Sequence, residues 1–219
     1  MIGIFGGTFN PVHWGHVRTA LELKKALAMD VMLMVPCGIP PHREEPDIDP
    51  ALRLAMLNAA VAGYRELQVD ERELQRAGPS YTADTLRSLR AEQGTIPLAL
   101  CVGVDAFTNL DTWHQWENLI ELAHIVVAHR PGWPVESLEQ KVSRQLQKML
   151  HQHRVTNRAL LHQQSAGYVL MQKVTDIDLS SSDIRQCRAQ GKSIAAMVPP
   201  GVLRIIESNK LYQSLEQDN

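Results

Sequence analysis

Apolar residues along this chain follow two rhythms. Short unbroken runs of strand length recur at Ile2 to Phe5, Val31 to Val35, Leu67 to Val69, Pro97 to Val104, His124 to Ala128 and Tyr168 to Val174. Between them lie stretches in which apolar positions return every three or four residues. These are Val12 to Ala28, Ala51 to Ala62 (Leu52, Ala55, Met56, Ala59), Thr82 to Gln93, and Val135 to His153 (Leu138, Val142, Leu146, Met149). A segment opened by serines and ending before Gly191, and a last one carrying Val202, Ile205, Ile206 and Asn209, complete the helical set. Strand, helix and strand between Ile2 and Val35 make a βαβ unit, which implies a parallel pair joined by a right-handed crossover. The alternation predicts an α/β fold on a parallel sheet.

Punctuation refines this. Pro36 to Pro50 holds five prolines in fifteen residues and cannot continue either rhythm. It leaves the carboxyl end of the second strand, the edge where open parallel sheets take ligands. His42 and Arg43 fall within it, whereas Glu44 to Asp49 read as solvated surface. With no internal repeat and no second apolar core, the 219 residues form one domain: a core over 1–190 and a C-terminal helical segment over 191–219.

Composition adds exclusions. Hydrophobic content of 44%, charged content of 21% and a net charge of −2 are ordinary for a globular enzyme and give no sign of bulk nucleic-acid or membrane-surface binding. The three cysteines, Cys37, Cys101 and Cys187, are far apart and odd in number, as expected of reduced thiols in the cytoplasm. No apolar run approaches a membrane span, and no basic segment precedes an apolar signal core.

The chemistry concentrates at MIGIFGGTFNPVHWGHVR. Gly6-Gly7 reads as a tight turn directly after the first strand, Asn10 as an N-cap and Pro11 as the first helical residue. His13 and His16 then share a helix face in the first two turns, where unpaired amides and the positive dipole end favour an anion. Taken alone, a Gly-Gly turn is a connector and a histidine pair could hold zinc. A zinc site needs about three or four ligands, and no Cys, Asp or Glu lies near enough in sequence to supply them. The conjunction points to phosphate. Leu179 to Arg185, LSSSDIR, is a second helix start, offering hydroxyls and an arginine together. Asp105 follows the fourth strand and suits ribose hydroxyls, although it could equally cap the next helix. Trp113 lies in a polar stretch without core periodicity, which leaves a partly exposed ring for stacking. Arg130 follows the fifth strand. Ser80 or Thr82 reads as a helix cap.

GGTFNPVHWGH resembles the GTFxPxHxGH signature of the nucleotidyltransferase superfamily, whose HxGH element is shared with class I aminoacyl-tRNA synthetases. LSSSDIR is similar to the ISSTxIR motif of the nicotinamide and nicotinate mononucleotide adenylyltransferases. PPHR, PSYTADTL and VGVDAFTNLDTW look like segments of the bacterial nicotinate-nucleotide branch, so the likeness runs from Gly3 to Tyr212. Ser182 replaces the motif's threonine and keeps the hydroxyl; His114 follows Trp113 where relatives often have tyrosine. The resemblance implies a Rossmann-like, doubly wound parallel sheet of nucleotidyltransferase type, a single domain with C-terminal helices. It implies the reaction of ATP with nicotinate mononucleotide to give deamido-NAD and pyrophosphate, in NAD biosynthesis, with Mg²⁺ carried on the ATP phosphates and no metal held by the protein. Gly6, Gly7, Thr8, Phe9, His13, His16, Ser181, Ser182 and Arg185 would bind ATP, with His16, His13 and Arg185 catalytic. Thr82, Trp113 and the His114 amide would receive the nicotinate, Asp105 and Arg130 would contact the mononucleotide, and His42 and Arg43 would meet pyrophosphate.

The attacking phosphate is already anionic, so no general base is required. Catalysis is expected from alignment and charge stabilisation, with the imidazoles raised above their usual pKa of about 6.5 by nearby phosphate and therefore charged. Phosphopantetheine adenylyltransferase is the nearest rival within the superfamily, although such chains are shorter. The chain has no KMSKS-like loop to support a tRNA synthetase. A nucleotide sensor without turnover is the rival from another class. Neither the preference for acid over amide pyridine nor the oligomeric state is legible in the sequence.

Overall fold

A computed structural model describes residues 1–40, 48–129 and 135–213, the side chains of 135–137 excepted. His42, Arg43 and Arg130 lie outside the described residues. Seven parallel strands form the sheet: β1 (Ile2–Gly7), β2 (Val31–Pro36), β3 (Leu67–Val69), β4 (Leu98–Gly103), β5 (His124–His129), β6 (Arg154–Val155) and β7 (Val169–Lys173). Their spatial order is β3-β2-β1-β4-β5-β7-β6, every neighbouring pair parallel. The chain winds outward from β1 to β3, then returns to lay β4 on the other side of β1. Strand order reverses between β1 and β4, the place where doubly wound sheets bind ligands.

Both faces are covered. On one, α1 (Trp14–Ala26), α2 (Pro50–Val61) and α9 (Pro200–Ser208) bury Leu23, Met56, Val202 and Ile206 in a single apolar cluster with Met32 and Met34 of β2. On the other, α3 (Thr82–Gln93), α5 (Leu119–Leu122) and α7 (Arg144–His153) enclose Leu86, Leu100, Ile120, Ile125 and Leu146. The remaining helices are α4 (Val104–Thr108), α6 (Val135–Lys141) and α8 (Ser181–Ala189). Burial on both faces explains why the strands read as continuous apolar runs rather than alternating ones.

Several local expectations shift. Gly6 and Gly7 are not a turn: β1 runs through them, paired to Val35 and Pro36. The bend comes at Phe9, whose φ of 49° is left-handed. Asn10 and Pro11 do not start α1, which begins at Trp14 with His13 as its N-cap. Asp105 is not a cap either; it occupies the first turn of α4 behind Gly103. The cap of α3 is Tyr81, without a side-chain bond, so neither Ser80 nor Thr82 serves. The Val135–His153 stretch is two helices, because Ser143 caps a new start by accepting from the Leu146 amide. In α2 the apolar stripe turns toward Arg53, Met56, Leu57 and Ala60, leaving Ala55 exposed.

Candidate active site

The site arises from a parting of strands. β1 pairs with β4 only from Ile2 to Ile4, whereas β4 stays paired to β5 as far as Gly103. Beyond Ile4 the carboxyl ends of β1 and β4 open into a crevice. Two cavities lead from it, and both are lined by Phe5, Gly7, Thr8, His16, Gly103 and Asp105. The first also has Phe9, His13, Ser181, Ser182 and Arg185 in its wall. The second has Gly6, Thr82, Trp113 and His114. The residues singled out for ATP thus surround one cavity, except Gly6, and those singled out for the pyridine surround its neighbour. His16 stands where the two meet.

The loop after β1 is held through its carbonyls. Arg53 Nη1 donates to the Thr8 carbonyl at 2.9 Å, Arg185 Nη1 to that of Asn10 at 2.7 Å, and Ser181 Oγ to that of Pro11 at 2.9 Å. Tyr212 donates its hydroxyl to Asn10 Oδ1 at 2.6 Å. Among the described residues, the amides of Thr8, Phe9 and Asn10 have no hydrogen-bond partner. Successive unpaired N–H groups of this kind make an anion cradle. Ser181 and Arg185 bring the N-terminus of α8 against that loop, so two helix starts serve one space. Ser180 caps α8 by accepting from the Asp183 amide at 3.1 Å.

His13 and His16 cap α1 reciprocally. His13 Nδ1 accepts from the Gly15 amide at 3.1 Å, and His16 Nδ1 accepts from the His13 amide at 3.3 Å. The pattern is that of a capping box with imidazoles in place of hydroxyl and carboxylate. An amide always donates, so each Nδ1 must be unprotonated and each ring carries its proton on Nε2. The rings lie 3.7 Å apart, and a Cβ on Gly15 would come within 2.9 Å of the His13 ring. That contact explains the glycine between the histidines. Burial pulls His13 down to about 4, against a smaller opposing pull from Asp183, and burial beside His13 holds His16 well below its usual value. With both Nδ1 atoms accepting backbone amides, the two imidazoles of this structure are neutral Nε2–H donors.

This has a stability consequence. The unfolded chain takes up a proton near pH 6.5, whereas folded His13 resists until about pH 4. The unfolded state binds more protons across that window, so stability falls as pH drops through it. Denaturation midpoints should decline from pH 6.5 toward 4, His13 contributing on the order of 1 kcal/mol per pH unit. The decline should be shallower in His13→Asn, whose side chain caps without titrating.

Around the second cavity, Tyr81 and His114 rings pack 4.2 Å apart and join the start of α3 to the segment after β4. Among the described residues, the amides of Thr82 and His114 have no partner, whereas that of Trp113 donates to the Leu110 carbonyl. Trp113 is half-buried against the apolar cluster beneath it, leaving part of its ring on the cavity.

Three residues went unremarked in the sequence. Arg53 is fully buried, Glu73 lies buried in the wall of the second cavity, and Tyr212 reaches the first from beyond α9. Only Arg53 left a legible signal: a cation at helical spacing from Met56, Leu57 and Ala60. The segment just after the last helix delivers Tyr212.

A parallel sheet parted at its switch point, with two helix starts turned on one anion cradle, defines a nucleotide-binding protein of the nucleotidyltransferase class. The profile of the Cytidylyltransferase-like family matches residues 4–187. A probable nicotinate-nucleotide adenylyltransferase of Methylococcus capsulatus is 43% identical, covering 97% of this chain and 99% of the relative. Another, from Acidithiobacillus ferrooxidans, is 42% identical over 96% and 95%. Among solved structures, the Plasmodium falciparum nicotinic acid mononucleotide adenylyltransferase complexed with NaAD superposes with a TM-score of 0.71 at 15% identity, covering 96% of each chain, a likeness of fold. The chain belongs to the nicotinate-nucleotide adenylyltransferase family.

Proposed function

We propose that this enzyme transfers the adenylyl group of ATP to nicotinate mononucleotide, giving deamido-NAD and pyrophosphate in NAD biosynthesis. The observation that carries this reading is the pair of cavities meeting at Gly7, Thr8 and His16. The first suits a triphosphate, with amides, two Nε2–H groups and Arg185. The second suits a pyridine ring, with Trp113 for its face and the Thr82 and His114 amides for its carboxylate. At the junction the mononucleotide phosphate attacks the α-phosphorus, a new P–O bond forms, and the bond to the β-phosphate oxygen breaks.

No proton need be removed from this nucleophile. The protein's part is to align two polyanions and to offset their repulsion. Neutral imidazoles can do this by donating Nε2–H bonds to the α-phosphate oxygens as charge builds there. Mg²⁺ carried by ATP would supply neutralisation of its phosphate charge. Asp105, which lines both cavities, would accept from ribose hydroxyls. His42, Arg43 and Arg130 keep the roles that the family resemblance gives them. The partners are the two nucleotides, not nucleic acid or membrane, and the setting is the cytoplasm. Among the described residues no helix is long and apolar enough to cross a membrane.

Pyrophosphate release from ATP with nicotinate mononucleotide, nicotinamide mononucleotide or phosphopantetheine tests the reading. Turnover fastest with nicotinate mononucleotide supports it; turnover with phosphopantetheine alone, or binding without turnover, sinks it. Trp113→Ala should raise KM for the mononucleotide about tenfold or more while leaving KM for ATP nearly unchanged. Equal effects on both substrates would remove the stacking role.

A further inference from the structure

The short segment Cys37–Ile39 leaves the end of β2, with Cys37 in the wall of the second cavity. Its Gly38 peptide is held at both ends. The Gly38 N–H donates to Ser80 Oγ at 3.0 Å, and its carbonyl accepts from Arg53 Nη2 at 3.2 Å. Arg53 Nη1 also takes the Cys37 carbonyl at 2.7 Å and, on the far side, the Thr8 carbonyl at 2.9 Å. The same guanidinium therefore grips the anion loop after β1 and the segment after β2. The Cys37 amide closes this junction by donating to the Gly7 carbonyl at 2.9 Å.

The other side of the segment belongs to the pyridine pocket. Ile39 bridges Pro79, with the Ser80 amide donating to the Ile39 carbonyl at 2.8 Å. The Thr85 hydroxyl donates to the buried Glu73 carboxylate at 2.7 Å. A Cβ on Gly38 would come within 2.6 Å of the Glu73 carbonyl oxygen, so no side chain fits between them. Ser80 is two residues from Thr82, and Glu73, Ser80 and Thr85 all line the second cavity.

A fully buried guanidinium needs compensation for its lost hydration. Among the described residues, Arg53 finds three carbonyls and no carboxylate. Packing alone would be served as well by an apolar residue at this position, since buried charge is weak evidence for stability. What the guanidinium does, and an apolar side chain could not, is tie three backbone carbonyls from the segments after β1 and β2 to one side chain.

We propose that Arg53 and Ser80 are positioning residues that couple the two substrate cavities through the Gly38 peptide. Filling the ATP cavity sets the loop after β1; Arg53 passes that setting to Gly38; Ser80 passes it to the wall of the pyridine pocket. The inference rests on the proposed function for the identity of its two ligands.

Calorimetry with nicotinate mononucleotide and the non-cleavable α,β-methylene ATP measures the coupling, as the ratio of mononucleotide Kd without and with the analogue. Direct repulsion between the ligands is common to all variants and cancels on comparison. In Ser80→Ala and in Arg53→Lys the ratio should change from the wild-type value by about five- to tenfold, the worth of one lost hydrogen bond or slightly more. The double variant should change it no further, since both act through one peptide. A ratio within twofold of wild type in both variants overturns the proposal, even if their melting temperatures fall, because that is what a merely structural role predicts. Should Arg53→Lys not fold, Ser80→Ala decides alone, as it removes one acceptor and leaves almost no cavity. Wild-type enzyme that binds no pyridine mononucleotide would instead remove the functional reading, and the coupling with it.

Discussion

His16→Ala is expected to lower kcat by about 10²- to 10³-fold, the range found when one donor to a developing oxyanion is removed. Its position at the meeting of both cavities gives the reason: among the described residues it is the one histidine that lines both. The substitution also strips the His13 amide of its acceptor, at a cost of about 1 kcal/mol of stability. The two effects can be separated. His16→Gln restores an acceptor at the third helical position, where glutamine completes a capping box. Thermal unfolding should return close to wild type, while steady-state turnover stays low because the amide cannot replace Nε2–H at the same point. Full turnover in His16→Gln would assign His16 to the helix start and not to the reaction.

Arg185→Ala should reduce kcat/KM for ATP by about 10²-fold, a loss typical of removing a charge-assisted donor from a phosphate site. Its guanidinium does two things at once: Nη1 holds the Asn10 carbonyl at 2.7 Å, while Nη2 lies 3.3 Å from Ser182 Oγ in the cavity wall. Arg185→Lys should recover little, because an ammonium is a point charge and cannot span carbonyl and phosphate in one plane. Kinetics at low and saturating ATP give the test. A lysine variant with near-normal kcat/KM would mean that charge alone is required there.

Six of the seven strands and most helices were legible because burial on both sheet faces leaves unbroken apolar runs, and because helices covering the sheet carry a periodic stripe; β6, two residues at the sheet edge, carries no such run. The location of the site was legible too, since Gly7, Thr8 and Asp105 follow strands predicted to end on one edge and all three line both cavities; His42 and Arg130, read onto the same edge, lie outside the described residues. What the sequence concealed was how polar groups are shared. Asn10-Pro11 looked like a helix start because both residue types favour that role; the imidazoles of His13 and His16 took it instead, and in doing so fixed their own tautomers. Ser80 passed for a cap, although its hydroxyl is spent on a peptide 42 positions away. Such long-range pairings carry no periodicity, so nothing in a local pattern could reveal them. Tyr212 is the extreme case.

The tyrosine's bond to Asn10 spans 202 positions. Closing so distant a contact is slow, because the intervening chain must first be brought into order. In refolding from denaturant, helical ellipticity should therefore recover well before enzymatic activity, which must wait for the tail to dock behind α9. Shortening the chain to end before Leu211 should leave that early phase intact and erase the late one, making Tyr212 a timer for competence as well as a strut.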